Sequence, residues 1–77
     1  GANHPFQIET SGGSAYSNGL VHVALDGTVS TGSDAQAKTS GTLYWQVPAN
    51  ISGNYQYQCT VHSSMQGTIV VKQLSAI

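Results

Sequence analysis

The stretch NYQYQCTVHSSMQGTIVVKQL, running from Asn54 to Leu74, decides how the rest of the 77-residue chain is read. Its first part alternates. Tyr55, Tyr57 and Cys59 fall on one face and Gln56, Gln58 and Thr60 on the other, the period of two that marks a half-buried strand over Asn54–Thr60. Its last part, Gly67–Leu74, is rich in β-branched residues and apolar on both faces at its middle, which predicts a strand with neighbours on either side. Between the two lies Cys59-Thr-Val-His62-Ser-Ser-Met65-Gln-Gly67, a C-x2-H-x2-M-x-G pattern. A thiol, an imidazole and a thioether thus share one hairpin loop, and Gly67 is expected to allow a backbone path on re-entry that bulkier residues resist.

Working outward, His4–Thr10 reads as a strand, with Phe6 and Ile8 alternating with Gln7 and Glu9. Pro5 belongs at its start or on an edge, because it donates no ladder hydrogen bond. Ser11–Gly19 is turn chemistry, with Tyr16 as an aromatic that can pin it down. Leu20–Leu25 is a second strand, followed by the turn signal Asp26-Gly27. Thr28–Ser40 carries one Val and no clear period, and reads as a long surface loop with room for a short strand or one helical turn. Gly41–Val47 is a clear strand: Leu43, Trp45 and Val47 share one face, Tyr44 and Gln46 the other, and Pro48 ends it. The tail Ser75–Ile77 is expected to fray or to lead into further sequence. No repeat and no second domain are visible. Short strands with Gly- and Ser-rich turns argue for one all-β domain over residues 1–77, a β-sandwich.

Composition narrows the function. Ser, Thr, Gly, Asn and Gln make up 37 residues, while Glu9, Asp26, Asp34, Lys38 and Lys72 are the only charged side chains apart from histidines. Two cations make no footprint for a phosphate backbone, so no nucleic-acid partner is expected. No apolar run approaches the ~18 residues of a membrane span, and no polybasic or amphipathic anchor is present. Low net charge with Tyr, Trp, Phe and many Val and Ile argues against disorder. A chain this short usually needs a staple or a partner. Cys59 is the single cysteine, so that staple is not an internal disulfide. The start at Gly1, almost at once inside a strand-like segment, is expected of a processed product or an excerpt of a longer protein.

Taken alone, a lone cysteine such as Cys59 is most often a buried core thiol. In this pattern metal ligation is the stronger expectation. A thiolate, imidazole and weak thioether are three of the ligands of a mononuclear blue-copper site, which needs a second imidazole. His4, at a strand start 55 residues before Cys59, is the candidate. The metal ligands are thus expected to be His4, Cys59, His62 and Met65. Zinc is the rival occupant, since two His and one Cys with an open fourth position can hold it, but a thioether favours Cu(I). A Cys59–His62 catalytic dyad is not favoured: no orienting third group is apparent, and Met65 has no role in that chemistry. The domain is therefore not expected to be an enzyme. His22 is expected to be structural, Trp45, Tyr55 and Tyr57 to be core rather than an electron relay, and Asn3 to stand beside His4.

The segment from Gly53 to Val71 resembles the C-terminal ligand hairpin of the cupredoxins, and is most similar to the short-loop, amicyanin-like form with this spacing of Cys, His and Met rather than the longer plastocyanin form. Together with HPFQI at the start and GTLYWQVP in the middle, it also looks like cupredoxin-like domains of marine bacterial surface proteins and phage particles. The resemblance implies a Greek-key β-sandwich with His4 and His62 as imidazole ligands, Cys59 as equatorial thiolate and Met65 as axial ligand. Two departures have consequences. The family usually has two further strands before its first His ligand, so a substantial piece of sheet is expected to come from a longer parent chain or from a strand-donating neighbour chain. The family also often places Asn after that His, where its N–H can donate to the Cys sulfur. Pro5 has no N–H, which should alter the electronics of the sulfur.

Two functions follow from these expectations. One is electron transport by Cu(II)/Cu(I) cycling with a redox partner protein, in an extracytoplasmic setting (periplasmic, secreted or cell-surface). The other is a structural or adhesive β-module of an extracellular assembly or virion, with the metal loop as a staple or a vestige.

Overall fold

The computed structural model describes residues 4–73; Asn3 and Ser75–Ile77 lie outside them. Two three-stranded antiparallel sheets face each other. The strands are β1 (Phe6–Thr10), β2 (Leu20–Val23), β3 (Val29–Thr31), β4 (Thr42–Trp45), β5 (Gly53–Cys59) and β6 (Gln66–Val71). The first sheet has the order β1-β5-β6 and the second β3-β2-β4. The described residues contain one 3-10 turn, Gly32–Ala35, and no α-helix. This is the all-β sandwich expected from short strands and Gly/Ser-rich turns. No helix among the described residues is long and apolar enough to cross a membrane.

Pairing explains the alternation. Phe6 lies opposite Cys59, Ile8 opposite Tyr57 and Thr10 opposite Tyr55. Residues directly opposite share a face, so these six side chains lie on the inner face and Gln7, Glu9, Gln56 and Gln58 on the outer one. Ile8, Leu20 and Ala35 are buried together, with Leu43, Trp45 and Ile69 packed against them. Tyr16 sits edge-on to both Trp45 and Tyr55, at centroid distances of 5.9 and 5.0 Å, which fixes the Ser11–Gly19 segment as its aromatic predicted. On the outer face Glu9 is buried without a cation, and its carboxylate accepts hydrogen bonds from the amides of Gln7 (2.9 Å) and Gln56 (2.7 Å).

Three expectations need correction. β6 is an edge strand among the described residues, and β5 is the central one. Ile69 packs on the core and Val71 is buried on the same face, while Val70 points outward and is 58% exposed. β-branched residues there express strand propensity rather than burial on two faces. Tyr57 belongs to the rim rather than the core: it stacks on Phe6 at 5.3 Å and is half-exposed. Gly67 is not in the left-handed region; it is needed because a Cβ there would collide with the Tyr57 ring that lies over it.

The Thr28–Ser40 segment contains both β3 and the 3-10 turn, and then returns to β1. Phe6 donates to the Lys38 carbonyl (3.1 Å) and Ala37 to the Phe6 carbonyl (2.8 Å). The Gln36 carboxamide accepts from the Ile8 N–H and donates to the Ile8 carbonyl, each at 2.9 Å, as a neighbouring strand would. Thus one edge of the first sheet is covered. An apolar groove of about 410 Å³ remains between the sheets, lined among others by Phe6, Ile8, Leu43, Trp45 and Ile69.

Candidate metal centre

The register of β1 on β5 builds the site. With Phe6 opposite Cys59, the two residues before Phe6 run alongside the loop after Cys59. The Thr60 N–H donates to the Pro5 carbonyl at 3.0 Å and ties those two segments together. His4 precedes Phe6 by two, so the strand alternation carries its ring to the face of Cys59. His4 Nδ1 lies 3.9 Å from Cys59 Sγ.

The other imidazole comes from the loop itself. The Cys59 N–H donates to the Met65 carbonyl at 2.8 Å, and the Met65 N–H to the His62 carbonyl at 2.9 Å, so Thr60–Met65 folds back in a tight turn. The His62 N–H points at Cys59 Sγ, 3.3 Å away, and the same residue brings its Nδ1 to 3.8 Å from that sulfur. The two histidine rings are tilted at 47° to each other with centroids 4.8 Å apart. His4, Cys59 and His62 therefore offer three donor atoms all within 4.8 Å of one another.

These separations suit a metal. A metal bound about 2.3 Å from sulfur and about 2.05 Å from nitrogen holds the two donors about 3.6 Å apart at a tetrahedral angle and about 3.8 Å apart in a trigonal arrangement of two His and one Cys. The Sγ–Nδ1 distances of 3.8 and 3.9 Å match the trigonal spacing, whereas a hydrogen bond would draw the atoms closer. Cys59 is free and buried, His4 is half-buried and His62 is exposed, so the thiol is shielded while one imidazole edge meets solvent. A His–Cys–His group of this geometry can hold a metal ion.

Met65, the fourth expected ligand, closes the loop through its backbone and has a half-exposed side chain. His22 stands outside the cluster, buried, with Nε2 2.5 Å from the Ser40 carbonyl, the structural role expected of it. The lost N–H at Pro5 does not leave the sulfur without a donor, since the His62 N–H reaches it.

One residue of the site escaped the sequence. Gln58, on the opposite face of β5 from Cys59, sends its carboxamide into the back of the loop. Its Nε2 lies 2.9 Å from the Cys59 carbonyl and 3.1 Å from that of Ser63, with those of Met65 and His62 at 3.4 and 3.5 Å. A glutamine at polar strand period carries no sign of this, because Gln56 reads identically.

Comparison of the chain with known protein families, with curated proteins and with solved structures finds no match.

Proposed function

We propose that this chain is a mononuclear type 1 copper-binding domain of cupredoxin type that carries single electrons and is not an enzyme. The observation that carries this is the convergence of His4 and His62 on Cys59 at nearly equal distances, with Met65 on the same loop. Copper bound there would supply a one-electron Cu(II)/Cu(I) couple, and the residues that would hold it are His4, Cys59, His62 and Met65. The chain contributes by keeping its donors in place. β5 holds Cys59 in the buried end of the sandwich, the Thr60–Pro5 bond holds His4 beside it, and the turn His62–Met65 presents the other imidazole. The exposed edge of His62 is where a redox partner protein would dock and exchange the electron. A thioether on the same loop as the thiolate favours copper over zinc. An extracytoplasmic location accompanies this function.

Adding Cu(II) to the metal-free protein should produce an intense thiolate-to-copper absorption toward the red end of the visible and a matching EPR signal. A colourless protein that takes up Zn(II) in a stoichiometric complex would replace copper by zinc, and one that binds neither would end the proposal.

A second function has an observation in its favour: a structural or adhesive β-module of an extracellular assembly or virion. β6 and β4 are sheet edges among the described residues, and the groove between the sheets is open. A strand from a longer parent chain or a neighbouring chain would add at such an edge. A chain that is monomeric, blue and rapidly reducible in isolation would count against this function; one that folds only as an assembly would favour it.

A further inference from the structure

The back of the ligand loop is organised around a single nitrogen. Four backbone carbonyls, those of Cys59, His62, Ser63 and Met65, lie within 3.5 Å of Gln58 Nε2. An amide group has two hydrogens. The Cys59 and Ser63 carbonyls, at 2.9 and 3.1 Å, are the two it serves well. These carbonyls belong to both limbs of the loop, so one side chain spans it from Cys59 to the turn that carries His62. The opposite side of the same loop holds Cys59 Sγ and its contacts to the His62 N–H and Nδ1. The Met65 and His62 carbonyls already accept the N–H groups of Cys59 and Met65, and Gln58 supplies a donor to the other two, those of Cys59 and Ser63.

We propose that Gln58 is the positioning residue of the ligand loop: its carboxamide holds the loop from behind, and so keeps Cys59 Sγ and His62 Nδ1 at ligand spacing before any metal arrives. The proposal rests on the cluster being a metal site only for its effect on affinity; the effect on the loop is independent of metal. Replacing Gln58 by Met keeps length and flexibility and removes both donors. Replacing it by Glu keeps the shape and turns a carboxylate toward four carbonyl oxygens. Either change should release the loop without touching a ligand.

The test uses the metal-free chain and a thiol reagent such as a disulfide of thionitrobenzoate. Gln58→Met and Gln58→Glu should raise the rate of Cys59 modification by about 10-fold or more, with Gln58→Glu the faster. They should also weaken Cu(II) or Co(II) binding by about 10–100-fold, the usual range for groups that orient a metal ligand. Gln56→Met is the control. Gln56 lies on the same strand face, and its amide bonds to Glu9 instead of the loop, so its loss should destabilise the fold and leave Cys59 shielded. Modification rates in both Gln58 variants equal to the wild type would overturn the proposal. So would a Gln56→Met rate as high as theirs, since general loosening would then explain the effect. Should the variants not fold, the wild type decides: the Gln58 carboxamide protons should exchange with solvent more slowly than those of exposed Gln66, and equal rates would overturn it. A wild type that binds no metal yet shows the thiol difference removes the metal function and leaves the loop assignment standing.

Discussion

At the β2–β3 hairpin the turn is closed by short-range bonds among its own few residues, whereas at the β5–β6 hairpin the backbone bonds are joined by side chains that grip the loop from both sides. In the first, the Gly27 N–H donates to the Ala24 carbonyl (2.9 Å) and the Ala24 N–H to the Thr28 carbonyl (2.8 Å), with Gly27 in the left-handed region at φ 90°. Leu25 at its tip is 84% exposed and packs on little. This is a three-residue hairpin loop with a glycine at its left-handed position and the Asp26 carboxylate on the Thr28 N–H. In the second, the sulfur of Cys59 accepts the His62 N–H and the amide of Gln58 collects loop carbonyls. A turn that satisfies itself has nothing left to offer a ligand. The ligand loop leaves its donors available, and its shape is therefore set by neighbours that can be removed one at a time.

The largest test of that contrast removes the sulfur. Cys59→Ser takes away the thiolate while leaving a hydroxyl that can still accept the His62 N–H. The wild type should gain about 4 kcal/mol of stability when copper is present at about 1,000 times its dissociation constant. The variant should lose the red absorption band and most of that gain, with its metal-free unfolding midpoint changed far less. Calorimetry with and without Cu(II) measures both, and an undiminished metal-induced shift in the variant would show that the site does not depend on Cys59.

A smaller effect separates the two hairpins by their glycines. Gly67 sits under the Tyr57 ring, so Gly67→Ala must push that ring aside and give up its stacking on Phe6. The expected cost is about 1–3 kcal/mol by analogy with overpacked sites. Because Tyr57 is the obstacle, the same substitution in a Tyr57→Ala background should cost much less, and an undiminished cost would place the strain elsewhere. Gly27 has the opposite problem: open space around it but a left-handed φ. Gly27→Ala should cost about 1 kcal/mol from backbone conformation alone, independently of Tyr57 and without changing the reactivity of Cys59. Urea unfolding of the four variants gives the comparison directly.

What could be read from the sequence divides along the same line. The alternation of Tyr55, Tyr57 and Cys59 is local, and it placed β5 and the loop that follows. His4 was reachable only because the loop's ligand set asks for another imidazole; its contact with Cys59 depends on a cross-strand register that spacing does not show. Gln58 and Gln36 were out of reach, since each serves backbone groups that come to it only after folding, and nothing distinguishes them from solvent-facing glutamines. The apolar run Ile69, Val70 and Val71 reads as a central strand, but hydrophobicity on both faces cannot separate a covered strand from an edge with one face exposed. Thr28–Ser40 lacked a period because it contributes short pieces to two neighbours: Ala35 to the core, Gln36 and Lys38 to β1.

The finest distinction between the hairpins is their response to acid. Asp26 lies in the β2–β3 turn, and its carboxylate accepts the Thr28 N–H at 3.0 Å. Hydrogen bonds from the Thr28 backbone and then its side chain lower its pKa below the ordinary carboxylate value. A lowered folded-state pKa means that the charged form is favoured on folding. Its contribution is present above the unfolded-state pKa and is lost as pH falls through the lowered folded value. The group is fully exposed, so solvent screens it and the effect is small. Asp26→Asn keeps an oxygen for the Thr28 N–H and removes the charge. At neutral pH the variant should therefore unfold at a slightly lower urea concentration than the wild type. The two should converge as the pH drops below the carboxylate range, where both side chains are neutral. A gap that persisted undiminished in acid would mean that the shape of the amide, rather than the charge, distinguishes them, and the β2–β3 turn would then owe nothing to electrostatics.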